Sequence, residues 1–369
     1  TRSIDAESSV VTNHFVTVNG NRIPYSATAG TLPVWSDDDK AVATLFYTYY
    51  KRSDVKDNTN RPIFFSFNGG PGAASIWMHM GYTSPRVLNI DDEGYPIQPY
   101  GTKENPYSII DVADIVYVNP VNVGLSRILD KEYDRSNFFG VNSDIKYLAQ
   151  WIEDFINKYN LWLSPKYLIG ESYGTTRCSG LALELQSRWH TTYLNGVILV
   201  SPTGLGIKRD GPVNSALRIP YFAATAWYHN KLDKDLQSRE LLDLLDEVEK
   251  FSVNEFLSAV TLGNSISETE RSEIARKAAR YSGLSERDFI DNNLDVTDQY
   301  FWKKLLYDEG YILGRLDSRY RGIDKKNSGV SVGSYPELDA WDHAFTPAMQ
   351  DYLKNDLRYE TNMNYNVWG

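Results

Sequence analysis

The sequence predicts an α/β chain, with a mixed, mostly parallel sheet and a helical insertion late in the chain. Three observations carry this reading. Short apolar runs recur at residues 63–67, 115–118, 167–169 and 196–200, each stopped by Gly, Pro or a polar turn residue. They are too short for helices and suit strands buried in a sheet. Residues 143–159 place Ile145, Leu148, Trp151, Ile152, Phe155 and Ile156 on one helical stripe between the second and third runs, and strand–helix–strand alternation implies parallel pairing. After Pro202 the character changes. Residues 207–322 hold no convincing parallel strand but carry three helix-start signatures, Ser252-x-x-Glu255, Ser267-x-x-Glu270 and Ser285-x-x-Asp288.

Taken in order, residues 1–12 are polar and expected to be loose. Residues 14–18 and 22–27 alternate around Asn19-Gly20-Asn21, a hairpin signal. Residues 41–50 read as a long strand, so the chain opens antiparallel and then enters the parallel sheet. The run at 63–67 leads into a Gly-rich loop, a short helix over 75–81 and a loop over 86–99. The strand at 115–120 is stopped by Pro120. After the helix at 143–159, the run at 167–169 enters a Gly-x-Ser-x-Gly turn, followed by a helix over 181–189 and a fourth buried strand at 196–201. Gly263 and Gly283 stand where helices of the insertion should stop. Residues 325–336 suit a surface loop and 345–357 a helix. The expected organisation is a core over residues 1–206, a helical insertion over 207–322 and a return toward the core over 323–369. Such an insertion is expected to cap a cleft and exclude water; a purely structural helical domain is the alternative.

Composition excludes several function classes. The net charge of −10 argues against general nucleic-acid binding, which needs clustered Lys and Arg. Cys178 is the only cysteine, so no intrachain disulfide is possible, and the thiol reads as a small buried apolar group. No apolar run is long enough for a transmembrane helix. Neither Cys-x-x-Cys nor His-Glu-x-x-His is present, so no metal is expected. Gly204-Leu205-Gly206 fails as a dinucleotide fingerprint because Arg209 occupies the third glycine position; no cofactor is expected.

Chemistry concentrates at Gly170-Glu171-Ser172-Tyr173-Gly174. A serine on a strand-to-helix turn is forced into a tight backbone conformation, and its hydroxyl projects above the sheet as a nucleophile. Upstream, Asn68-Gly69-Gly70-Pro71-Gly72 ends another apolar strand, where an oxyanion hole can form. The backbone N–H of Tyr173, next to the serine, supplies one donor.

These segments, with Asn119-Pro120-x-x-x-Gly124-x-Ser126 between them, resemble the serine carboxypeptidase family on the α/β-hydrolase fold. His79-Met80-Gly81, Thr175-Thr176-Arg177 and Gly314-Arg315-Leu316-Asp317 resemble its bacterial branch. The lack of a disulfide and of any Asn-x-Ser/Thr sequon fits that branch. The resemblance implies a peptidase that removes C-terminal residues through an acyl-enzyme, with peptide or protein C-termini as substrate. It implies Ser172 as nucleophile and Gly70 with Tyr173 as the oxyanion hole. Asn68, Gly69 and Glu171 would hold the substrate carboxylate. Glu171 must carry its proton to donate to a carboxylate, which implies an acidic working pH. A second carboxyl usual in the family falls at Tyr82 here. A secreted or periplasmic location is expected, although Thr1-Arg2-Ser3 begins no recognisable leader.

The family's catalytic Asp and His follow the insertion. The later histidines here are His190, His229 and His343; none is a convincing base, and neither are His14 and His79. The sequence is therefore expected to lack a C-terminal part that carries both residues, left out or present as a separate fragment. An acyltransferase on the same machinery and a peptide-binding homologue without catalysis are the rival readings.

Overall fold

Asn19 and Gly20 both adopt positive φ, 50° and 77°, the geometry of the two-residue turn whose twist matches that of paired strands. The turn joins strands β1 (Ser8–Val18) and β2 (Asn21–Trp35) in antiparallel register from Val18↔Asn21 to Ser8↔Thr31. The computed structural model describes residues 3–189, 192–203 and 210–369; His190 and the 204–209 stretch that includes Gly204-Leu205-Gly206 and Arg209 lie outside the described residues. Strand β1 begins earlier than its polar composition suggests. Its exposed and half-buried residues alternate, as on an edge strand with one face toward solvent.

Strands β3 (Ala41–Arg52), β4 (Ile63–Phe67), β5 (Asp114–Val118), β6 (Lys166–Glu171) and β7 (Gly196–Val200) continue the main sheet, with the two-residue strand Arg127–Ile128 paired antiparallel to β3 off the main path. Their spatial order is β1-β2-β3-β5-β4-β6-β7. The first three strands are antiparallel, β3 meets β5 antiparallel, and β5, β4, β6 and β7 run parallel. This is the expected mixed, mostly parallel α/β-hydrolase sheet.

Helices α1 (Val141–Lys158) and α2 (Tyr173–Ser187) pack on it. From them Leu148, Trp151, Phe155, Cys178 and Leu181 join Phe65, Phe67, Val116 and Leu168 in one buried core. Helix α2 starts directly at Tyr173, eight residues before the apolar segment that signals it in sequence. Cys178 is buried, and burial pushes its thiol up to about 12. Strand β7 departs from expectation. Val197, Ile198 and Leu199 are 37%, 43% and 39% exposed; among the described residues β7 pairs with β6 alone, which leaves its outer edge without a neighbouring strand.

The chain divides into two compact units, residues Thr1–Gly206 with Asp342–Gly369, and Ile207–Trp341. The second is helical. Helices α3 (Gly211–Tyr228), α4 (Leu241–Phe251), α5 (Glu268–Ser282) and α6 (Asp298–Lys304) bury Phe222, Leu244, Val248, Ala278 and Phe301 together. The hydroxyl of Ser267 caps α5 by accepting from the Glu270 amide, and Ser285 with Asp288 forms a reciprocal capping box. Ser252 starts no separate helix; it follows α4 directly as its C-terminal cap. It lies inside a continuous helical run and donates to the Ala216 carbonyl, so tertiary packing overrides that local signature. Helix α7 (Pro336–Asp351) follows. Among the described residues no helix is long and apolar enough to cross a membrane.

Candidate active site

Three parallel strands end side by side at Phe67, Glu171 and Val200, and the loops that leave them form the site. Ligands of open α/β sheets bind outside such carboxyl ends. Ser172 sits between β6 and α2 with φ 56° and ψ −125°, a conformation that costs a non-glycine residue on the order of 1–3 kcal/mol. Neighbours hold it there. Its N–H donates to the Val200 carbonyl at 3.0 Å, and its own carbonyl accepts from the Thr175 amide at 2.9 Å and the Thr175 hydroxyl at 2.7 Å.

The turn tolerates no extra carbon around it. A Cβ at Gly170 would overlap the Gly174 carbonyl and stand 2.7 Å from the Cys178 sulfur. A Cβ at Gly174 would lie 2.8 Å from the Phe67 carbonyl oxygen. A Cβ at Gly69 would overlap the Tyr173 amide nitrogen and meet Ser172 Cβ at 3.0 Å. The Gly-rich loop therefore lies directly against the serine turn, and this close approach requires glycine on both sides.

Four hydrogen bonds hold Asn68 in place. Its amide donates to Ser75 Oγ at 3.3 Å, and its Oδ1 accepts from the Met78 amide at 2.8 Å. Its Nδ2 donates to Glu171 Oε2 at 3.0 Å, and its carbonyl accepts from Arg177 Nη1 at 2.8 Å. An Asn side-chain amide has two N–H donors, so one remains beyond the bond to Glu171. The amides of Gly70 and Tyr173 donate to no backbone acceptor among the described residues. Tyr173 is the first residue of α2, where unpaired amides and the helix dipole favour negative charge.

The third motif braces this loop from behind. Ser75 donates its hydroxyl to Val118 O at 2.5 Å and its amide to Asn119 Oδ1 at 2.9 Å. Ser126 Oγ donates to Asn119 O at 2.7 Å and accepts from the Phe46 amide at 2.8 Å. Residues 366–369 run between these loops. The Ala74 amide donates to Val367 O at 2.9 Å and the Gly369 amide to Gly72 O at 2.9 Å, while Gly124 and Asn366 exchange backbone hydrogen bonds.

The Ser172 hydroxyl has no hydrogen-bond partner among the described residues, and the four described histidines are engaged elsewhere or face solvent. His14 Nε2 bonds Thr12 at 2.7 Å, and His229 Nε2 bonds the Ser318 carbonyl at 2.7 Å. His343 is exposed on α7. His79 is buried, hydrogen-bonded to the Tyr50 hydroxyl at 2.6 Å and stacked on Tyr117 at 4.4 Å; burial pushes its imidazole down to about 3. Tyr82 is 56% exposed.

The serine carboxypeptidase family model matches residues 19–298, about three-quarters of the chain. This chain belongs to the serine carboxypeptidase family. Among curated members it is similar to the retinoid-inducible serine carboxypeptidase of Rattus norvegicus, 27% identical over 192 residues, covering 50% of this chain and 38% of that protein. It is also similar to the pheromone-processing carboxypeptidase of Saccharomyces cerevisiae, 26% identical over 155 residues, covering 39% of this chain and 20% of that one. The chain thus spans well under half the length of these curated relatives. Among solved structures, a prohormone-processing carboxypeptidase from Saccharomyces cerevisiae aligns at a TM-score of 0.41 and 18% identity, over 70% of this chain and 53% of the other.

Asn68, Gly69, Gly70, Glu171, Ser172 and Tyr173, the residues expected from the sequence, lie together in the structure. The link of Arg177 to Asp144 and Asn68 has no counterpart in the sequence motifs. Arg177 is 2% exposed, and its Nε donates to Asp144 Oδ2 at 2.8 Å. A charged side chain buried on the nucleophile's own helix was the available signal, but only the fold reveals its partner 33 residues earlier.

Proposed function

We propose that this serine carboxypeptidase family member hydrolyses the C-terminal peptide bond of peptides through an acyl-enzyme. The observation that carries the reading is the contact between the Gly69 loop and the Ser172 turn, which puts a hydroxyl, two candidate amides and a polar pair within one small region. Ser172 Oγ attacks the scissile carbonyl and loses its proton to a base. The amides of Gly70 and Tyr173 take the developing oxyanion; one such donor is worth about 10²–10³ in rate. The amine leaves with a proton, and water then hydrolyses the ester on Ser172.

The free N–H of Asn68 Nδ2, the Gly69 amide and the Glu171 carboxyl hold the substrate carboxylate. Two carboxyl groups in one site repel unless they share a proton, so substrate binding takes up a proton and favours acidic pH. Such a dependence suits a secreted or periplasmic compartment.

The base comes from outside the described residues. In this reading a further segment, continuous or separate, docks beside the open apolar edge of β7 and brings an Asp and a His to Ser172. The exposure of Val197, Ile198 and Leu199 supports it, because solvated apolar strand edges are normally covered. The solitary Ser172 hydroxyl also favours a second reading, a peptide-binding homologue without turnover.

Release of leucine from benzyloxycarbonyl-Phe-Leu separates the two. The protein isolated from its own cells should release it, the Ser172→Ala variant should not, and the C-terminal amide should be a poor substrate. Tight binding without release by the cell-derived protein would establish the second reading instead.

A further inference from the structure

We propose that Arg177, locked by Asp144, is a positioning residue that aims the Gly69 N–H at the substrate carboxylate. The inference rests on the carboxylate site described above and names the device that holds it in shape.

Arg177 lies five residues beyond Ser172 on α2. Its Nη1 donates to the Asn68 carbonyl and its Nε to Asp144 Oδ2, each at 2.8 Å. Asp144 Oδ1 accepts from the Tyr147 hydroxyl at 3.1 Å, and that hydroxyl accepts from the Val121 amide at 3.3 Å. The guanidinium also lies over the rings of Phe67 at 5.6 Å and Tyr173 at 5.2 Å. One buried cation therefore touches the residue before Asn68, Asn68 itself and the residue after the nucleophile.

Stability alone does not account for this pair. The Arg177 and Asp144 side chains are 2% and 9% exposed, and a well-packed apolar pair is often as stable as a buried ion pair. What the pair adds is direction. The Asn68 carbonyl and the Gly69 N–H belong to one planar peptide and point to opposite sides of it. With the oxygen held by the guanidinium, the N–H must point away from Arg177. Glycines at 69 and 70 leave the loop unusually free to rotate, so without this anchor the Gly69 peptide has several orientations, and only one presents its hydrogen to a ligand. The Gly69 amide donates to no backbone acceptor among the described residues, so it is available to one.

The test is calorimetric binding of benzyloxycarbonyl-Phe-Leu and its C-terminal amide to the cell-derived protein carrying Ser172→Ala. This parent should bind the acid at least ~10-fold tighter than the amide, as expected for hydrogen bonds to a charged group. Arg177→Met should bring the two affinities within ~2-fold by weakening the acid alone, and Arg177→Lys should restore part of the gap. Because removing one member of a buried pair can unfold a protein, Arg177→Met with Asp144→Leu, which removes both charges, is measured in parallel with the same expectation. Retained preference for the acid in either folded variant overturns the positioning role alone. Equal weakening of acid and amide also overturns it, since that is general damage to the cleft. A parent without preference removes the carboxylate site, and the positioning role with it.

Discussion

Gly69 has no room for a side chain, because the Tyr173 amide nitrogen occupies the place a Cβ would take. The loop after β4 and the serine turn after β6 are thus one structure, built from two segments a hundred residues apart.

Gly69→Ala must push these segments apart, because its Cβ would overlap the Tyr173 amide nitrogen. In the protein isolated from its own cells this should cost about 10²-fold in kcat/KM, the scale of one lost oxyanion donor. Stability should fall by about 1–3 kcal/mol, as for other overpacked sites. Gly20→Ala, at a surface turn with nothing within 4 Å of its Cβ position, should lower stability through its positive φ yet leave kcat/KM within about 2-fold. Steady-state kinetics and urea melts on both variants check this.

His79 makes the fold sensitive to acid. Burial holds its imidazole at about 3, against an ordinary value of 6.5. Between those values the unfolded chain binds a proton that the folded chain does not, so stability is full above pH 6.5 and declines as pH falls toward 3. The loss from this residue should be on the order of 4 kcal/mol over that range. His79→Phe should flatten the decline in urea midpoints measured from pH 7 to pH 4. An unchanged slope would mean that other groups dominate.

Asp154 acts in the opposite direction. Burial first, then the neighbouring Glu153 charge, raises its carboxyl to about 6, from 3.8, and its Oδ2 is buried without a partner among the described residues. Here the folded state binds the proton more tightly. The stabilisation is present below pH 3.8 and disappears as pH rises through 6. Asp154→Asn should raise stability at pH 8 by about 1 kcal/mol, allowing for partial exposure, with no gain at pH 3.5. Equal gains at both pH values would contradict the assignment.

The open edge of β7 predicts stickiness. The isolated chain of these 369 residues should bind the dye ANS and self-associate, and Ile198→Lys should reduce both by about half or more. Sedimentation velocity and dye fluorescence give the answer.

The parts of this site legible in sequence are those set by local sterics. Gly170-x-Ser172-x-Gly174 and the Gly69 loop were readable because a strained turn and a close approach each demand particular residues. Features set by tertiary surroundings were less readable. Ser252 carries a helix-start signature yet lies inside a helix, since burial against Ala216 outweighs it. Residues 173–180 are poor in apolar signal, yet they form the first turns of α2, started by the Ser172 turn and packed on the sheet through Cys178. The run 196–200 looks like any buried strand, because apolar composition does not say whether a neighbour covers the edge. Arg177 was invisible as a partner of Asn68, because nothing local links residues 68, 144 and 177.

An activated Ser172 hydroxyl should react with a fluorophosphonate. Mass spectrometry of the labelled, cell-derived protein should place a single phosphonyl group on Ser172, absent in Ser172→Ala and reduced by peptides with free C-termini. An unlabelled Ser172 in that protein, or label only at another residue, would contradict the account.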